Sequence, residues 1–158
     1  MSTVLDQVSI RNNCINSLCN VDLFFRHRRI TSVQGDGLII SLATGSTKDA
    51  MASGASLVHP LVETIMVTPV CAHSLSFRPA LVPIWAQLEL KLSDRARSSM
   101  RVELDTSQQV QLEKGNLFKI VVSEFPISFF DLPEYNKKSD WFGFLRENMH
   151  WNYVTKNK

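Results

Sequence analysis

The chain has 158 residues, long enough for one domain with its own core, and its composition is that of an ordinary globular protein: 44% hydrophobic, 20% charged, formal net charge +2. That near-neutral balance argues against a nucleic-acid binder, which concentrates basic charge on one face, and no apolar run approaches the ~20 residues needed to span a bilayer. Cys14, Cys19 and Cys71 cannot all pair and lack ligand spacing, and the four histidines are scattered, so neither a disulfide framework nor a metal site is expected. The start of the chain has neither the basic nor the apolar segment of a signal peptide, and a cytoplasmic protein with free thiols is expected.

In chain order, Val21-Asp22-Leu23-Phe24-Phe25 and Ile30-Thr31-Ser32-Val33 flank the basic run Arg26-His27-Arg28-Arg29, which predicts a hairpin with a solvated turn. Gly35-Asp36-Gly37 is a turn signal, and Leu38-Ile39-Ile40 is the short apolar run of a buried strand. Thr44-Gly45-Ser46-Thr47 gathers three hydroxyls and a glycine at a predicted helix start. Ser46 with Asp49 three residues on resembles a capping box, and Gly54 keeps the helix short. Free N–H groups there, beside a backbone that allows close approach, suit a nucleotide phosphate or sugar.

Residues 61–68 read as a strand ending at Pro69. Leu88, Leu90 and Leu92 alternate with Gln87, Glu89 and Lys91, predicting a half-buried strand with the polar set toward solvent. Met100, Val102 and Leu104 repeat the pattern, followed by Val110 and Leu112, then Phe118, Ile120 and Val122. Ser139 or Asp140 can cap a second helix over 139–149, where Trp141, Phe144, Leu145 and Met149 recur at helical spacing. Together these predict a mainly β fold: a two-sheet, β-sandwich-like single domain over 1–158 with one or two short helices and residues 153–158 as a tail. No Gly-x-Ser-x-Gly elbow and no P-loop frame occur, so no catalytic residue is assigned.

Order and spacing carry more. Gln34-Gly35-Asp36-Gly37, Thr44-Gly45-Ser46-Thr47, Gly54, Val58-His59-Pro60, Thr68-Pro69-Val70-Cys71 and His73-Ser74-Leu75-Ser76-Phe77-Arg78-Pro79 resemble the C-terminal domain of the NAD kinase family. Asp94-Arg95-Ala96-Arg97-Ser98 and Asp140-Trp141-Phe142 with His150-Trp151-Asn152 look like its eukaryotic members. The resemblance implies a protein of NADP biosynthesis, phosphorylating the adenosine 2′-hydroxyl of NAD with ATP and Mg²⁺. It implies an all-β domain that builds most of the dinucleotide site and the oligomer interface. Asp36, Ser46 and Thr47 would line the NAD site, with Asp6 and Gln7 at the adenosine contact.

The departures are equally specific. No Gly-Gly-Asp-Gly motif, the family's source of the catalytic aspartate and of an ATP and Mg²⁺ site, occurs in the chain. The family's Asn-Glu pair reads Asp6-Gln7 here, reversing donor and acceptor, and its Ala-Tyr after Thr-Gly-Ser-Thr reads Lys48-Asp49. Lys48 is read as solvent-facing, with a phosphate contact as the alternative. The Asp-Gly turn expected after Leu104 reads Asp105-Thr106, which predicts a reshaped loop. The expected partners are NAD or NADP and either a homo-oligomer or a full-length NAD kinase that this domain joins and modulates. A chain inactive on its own is expected, a degenerate gene product being the remaining alternative.

Overall fold

A computed structural model describes residues 2–14, 17–44, 49–105, 108–127 and 141–153. The chain divides into two compact units, Met1–Ser123 and Glu124–Lys158. Among its described residues the first holds ten antiparallel strands: β1 (Gln7–Asn12), β2 (Cys19–Phe25), β3 (Arg28–Gly35), β4 (Gly37–Leu42), β5 (Thr64–Val70), β6 (Ala80–Pro83), β7 (Leu88–Leu92), β8 (Met100–Leu104), β9 (Gln108–Leu112) and β10 (Leu117–Ile120). A six-stranded sheet runs β6-β5-β4-β1-β8-β9 and a four-stranded sheet runs β10-β7-β2-β3. One helical turn, α1 (Asp49–Ala52), lies between β4 and β5. The second unit contains α2 (Trp141–Asn148), where Trp141 and Phe142 meet edge to face and the Leu145 carbonyl accepts from the N–H groups of Met149 and Trp151.

The period-2 alternation places the core as expected. Ile10, Met100, Val102 and Leu104 of one sheet face Val21, Leu23, Leu88 and Leu90 of the other in one buried cluster, the arrangement that two stacked sheets about 10 Å apart require. The central strand β1 was not among the sequence expectations, because only Val8 and Ile10 carry its apolar face. β4 is buried on both faces: Leu38 and Ile40 join the main core, while Ile39 is buried outside it, as are Met66, Ala50 and Val58. A second, smaller apolar layer therefore covers the outer face of β4 and β5, where α1 contacts β4.

Three local expectations change. The strand predicted over 61–68 begins at Thr64 and continues through Pro69, which pairs with Leu38. Pairing with β6 stops at Val67, so beyond that point β5 is an edge strand, where a missing N–H is tolerated. Glu89, placed on the solvent face by alternation, is only 4% exposed, with His27 Nδ1 at 2.9 Å from its Oε1. The basic hairpin turn is exposed, as expected, but its side chains also make contacts. Arg26 and His27 take positive φ, 49° and 61°, as a tight two-residue hairpin requires. The Arg26 guanidinium lies 4.8 Å from the Trp85 ring centroid and 5.5 Å from that of Phe25, a cation–π stack that helps hold this unusual backbone.

Candidate functional site

Of the candidate residues that are described, Gln7 lies on the outer face of the six-stranded sheet, the one turned away from the main core, and Asp36 lies at the bend that enters β4. Strand register fixes their order: Ser41 stands beside Gln7, Ile39 beside Ser9, and Gly37 beside Arg11. Across β8, Ser9 faces Glu103 and Arg11 faces Arg101. Gly37 is needed because a Cβ there would collide with the Ile10 carbonyl oxygen. At Gly35 a Cβ would sit 2.8 Å from the Val70 oxygen and 2.9 Å from that of Cys71, so the two glycines let three chain segments close around Asp36.

Asp36 occupies the bend between β3 and β4, with its N–H donating to the Val70 carbonyl at 2.9 Å, while the N–H of His73 donates to the Gln34 carbonyl at 2.9 Å. The motif around residues 68–73 thus docks against the Gly-Asp-Gly bend. The exposed Cys71, held at φ 44°, donates its thiol to the Asp36 carboxylate. That hydrogen bond, with the negative charge behind it, pushes the thiol pKa up, because it favours the neutral donor.

At the other end of β4 the geometry pairs two of the departures. The Gln7 side-chain amide donates to the Asp49 carboxylate at 2.9 Å, joining β1 to the start of α1. The other half of the expected capping box, Ser46, lies outside the described residues. The segment before β1 is clamped by Asp105: Leu5 N–H donates to Oδ2 at 2.9 Å, and Asp6 and Gln7 N–H donate to Oδ1 at 2.9 and 3.0 Å. The Asp105 N–H returns a bond to the Gln7 carbonyl at 3.0 Å. Partial burial pushes the Asp105 carboxyl up, but the three N–H donors outweigh it and hold the pKa below the usual carboxylate range. Asp105 itself sits at φ 51°. It was expected only as the first residue of a reshaped loop, and its clamping role is one that only the β1–β8 pairing shows; Thr106 lies outside the described residues.

The predicted set divides accordingly. Gln7 sits at the Asp49 end with Asp6, which is exposed and held by its backbone. Asp36 sits at the opposite end of β4, five residues and about 17 Å along the strand. Ser46, Thr47 and Lys48 lie outside the described residues. Two hydroxyls missed by the sequence reading, Ser41 Oγ and Thr68 Oγ1, are buried on this face without a hydrogen-bond partner. Among the described residues no group of three or more His, Cys, Asp or Glu side chains could hold a metal ion, and no helix is long and apolar enough to cross a membrane.

Comparison with known proteins gives this geometry a context. Residues 5–132 match the family model of the ATP-NAD kinase C-terminal domain. The chain is 40% identical over 152 residues to the protein named NAD kinase 2, chloroplastic, of Arabidopsis thaliana, covering 94% of this chain and 15% of that protein. It is 33% identical over 149 residues to an ATP-NADH kinase of Saccharomyces cerevisiae, covering 94% and 29%. The chain thus spans less than a third of the length of either relative. In fold it is similar to a yeast NADH kinase solved with NADH, with a TM-score of 0.81 and 23% identity over 98% of this chain and 46% of that one. An NAD kinase from Archaeoglobus fulgidus solved with ATP gives a TM-score of 0.76 at 22% identity, covering 90% and 54%.

Proposed function

Because the chain belongs to the ATP-NAD kinase family, as a C-terminal domain of that family, we propose that it is the dinucleotide-binding part of an NAD kinase-type protein of NADP biosynthesis. NAD is the nucleotide it recognises, and the outer face of the six-stranded sheet is where it binds. The similar yeast fold was solved with NADH, which supports a nicotinamide dinucleotide as ligand.

The observation that carries the reading is the Gln7–Asp49 hydrogen bond, which joins two positions that the family resemblance assigns to nucleotide contact. The Gln7 amide, on backbone held by the Asp105 clamp, and the Asp49 carboxylate offer both donors and acceptors to ribose hydroxyls and a base edge. Here they satisfy each other, so an incoming nucleotide must displace their mutual bond before using either group. We therefore assign the domain weak NAD affinity. No residue of this chain corresponds to the Gly-Gly-Asp-Gly aspartate that would activate the 2′-hydroxyl, so the 158-residue chain by itself does not form NADP. By the family resemblance ATP and Mg²⁺ would be held by that motif, which this chain does not contain.

Titration calorimetry with NAD, paired with an NADP-formation assay on the purified chain, tests both parts. Weak saturable binding without turnover is expected. Absence of any NAD binding removes the ligand assignment, and turnover like that of a complete family member removes the claim of inactivity.

A further inference from the structure

At the Asp36 end of the same sheet, beyond the Gln7–Asp49 pair, the geometry points to a second site: we propose that a groove over the paired strands β1 and β8 binds a phosphate-class anion on Arg11 and Arg101. Gln7 and Arg11 are four residues apart on one face of β1, about 13 Å, so the arginine pair is distinct from the Gln7–Asp49 pair, while Asp36 borders the anion groove and belongs to the expected NAD-lining set as well.

Arg11 and Arg101 stand directly opposite each other in the β1–β8 ladder. Like charges in that relation repel, because directly opposed Cβ atoms lie only about 4.5–5.5 Å apart. Among the described residues the carboxylate that pairs with both is Glu103, whose Oε1 is 3.0 Å from Arg101 Nε and whose Oε2 is 4.0 Å from Arg11 Nε. Glu103 Oε2 also accepts from the Ser9 hydroxyl at 3.0 Å. Two guanidinium groups therefore share one partly occupied carboxylate. Neither buried Nε has a hydrogen-bond partner: the 3.0 Å approach of Arg101 is a charge contact whose N–H is not aimed at the oxygen. The outer parts of both side chains remain open, 42% and 39% exposed.

These arginines line a groove of about 470 Å³ with Asn12 and Asp36 on its walls. Asn12 is already used, its amide donating to the Leu18 carbonyl and its oxygen accepting from Cys14 N–H and the Ser98 hydroxyl. Anion recognition falls to the arginine pair, whose planar forks match phosphate oxygens bidentately. Asp36, on the groove wall, repels a bare dianion on its side and accepts from a hydroxyl. The best-matched ligand is a phosphate on a hydroxyl-bearing scaffold such as a sugar, with free inorganic phosphate as the other source of the same chemistry.

The test uses inorganic pyrophosphate as probe on the 158-residue chain and on Arg11→Gln, Arg101→Gln and the double variant. Pyrophosphate is expected to raise the melting temperature and to bind less well as salt increases. Each single substitution weakens binding about tenfold, or about 1.4 kcal/mol. Without anion, removing one of two opposed like charges leaves the melting temperature unchanged or higher, which separates lost binding from lost folding. Gln7→Ala changes NAD binding without changing the pyrophosphate response, so this proposal and the NAD assignment fail separately. Displacement of pyrophosphate by NADP but not NAD assigns the groove to a sugar phosphate, and displacement by neither assigns it to free phosphate. An identical pyrophosphate response in the chain and the double variant overturns the proposal. So does a change in oligomeric state, with the pyrophosphate response intact, when the arginines are replaced.

Discussion

Replacing Asp49 with tyrosine should move stability and NAD affinity in opposite directions. In the folded chain the Asp49 carboxylate accepts the Gln7 amide at 2.9 Å, and the pair is exposed. A hydrogen bond to a charged group is worth about 1.5–3 kcal/mol when protected, whereas exposed pairs contribute ~0.2–1 kcal/mol. Asp49→Tyr should therefore destabilise the domain by roughly 0.5–1 kcal/mol, near the top of the exposed range. For a chain of this size that lowers Tm by about 1–4 °C. The same change frees the Gln7 amide and restores an aromatic platform at the family position. Stacking a base on such a ring is worth about 1–3 kcal/mol, so NAD should bind roughly 5- to 150-fold more tightly. Differential scanning calorimetry and NAD titration read the two effects. A double-mutant cycle over Gln7→Ala and Asp49→Ala should give a coupling of about 0.5–1 kcal/mol. Additive single substitutions, or an Asp49→Tyr variant with unchanged NAD affinity, would refute the reasoning.

Gly37→Ala should cost about 1–3 kcal/mol in urea unfolding, because the new methyl meets the Ile10 carbonyl of the neighbouring central strand and backbone cannot easily give way; a neutral result would mean that β1 and β4 can separate. Asp105 gives a pH signature. Its pKa is depressed by folding, so its contribution is complete above the unfolded value of about 3.9 and is lost as pH falls through the lower folded value. The stability gap between the chain and Asp105→Asn should shrink on acidification, and a gap that stays constant with pH would discard the clamp as its origin. In a Cys14→Ser background, Asp36→Asn should speed alkylation of Cys71 at fixed pH, since the bond and charge that disfavour its thiolate are removed. Cys19, whose thiol burial pushes up to about 12, should stay unreactive in the native chain.

The sheets were legible because burial on one face imposes a period of two. Leu88, Leu90 and Leu92 declared β7, and Met100, Val102 and Leu104 declared β8, without any knowledge of their partners. The hairpin between β2 and β3 was legible because its arms are contiguous. β1 was missed for the opposite reason: two apolar residues make a weak pattern, and its place at the centre of the larger sheet comes from pairing with β4 and β8. Glu89 shows the limit of alternation, which assigns a face but not what covers it.

By itself the sequence determined the fold class and the family, since local pattern and motif order are written along the chain. Only the tertiary structure decided which residues meet. Gln7 and Asp49 are 42 positions apart, Asp105 and the N–H groups that it clamps 98 to 100 apart. Such contacts are set by strand register, which a two-residue period specifies only up to the choice of partner strand. The same register turned two unremarkable arginines, Arg11 and Arg101, into an opposed pair beside Asp36.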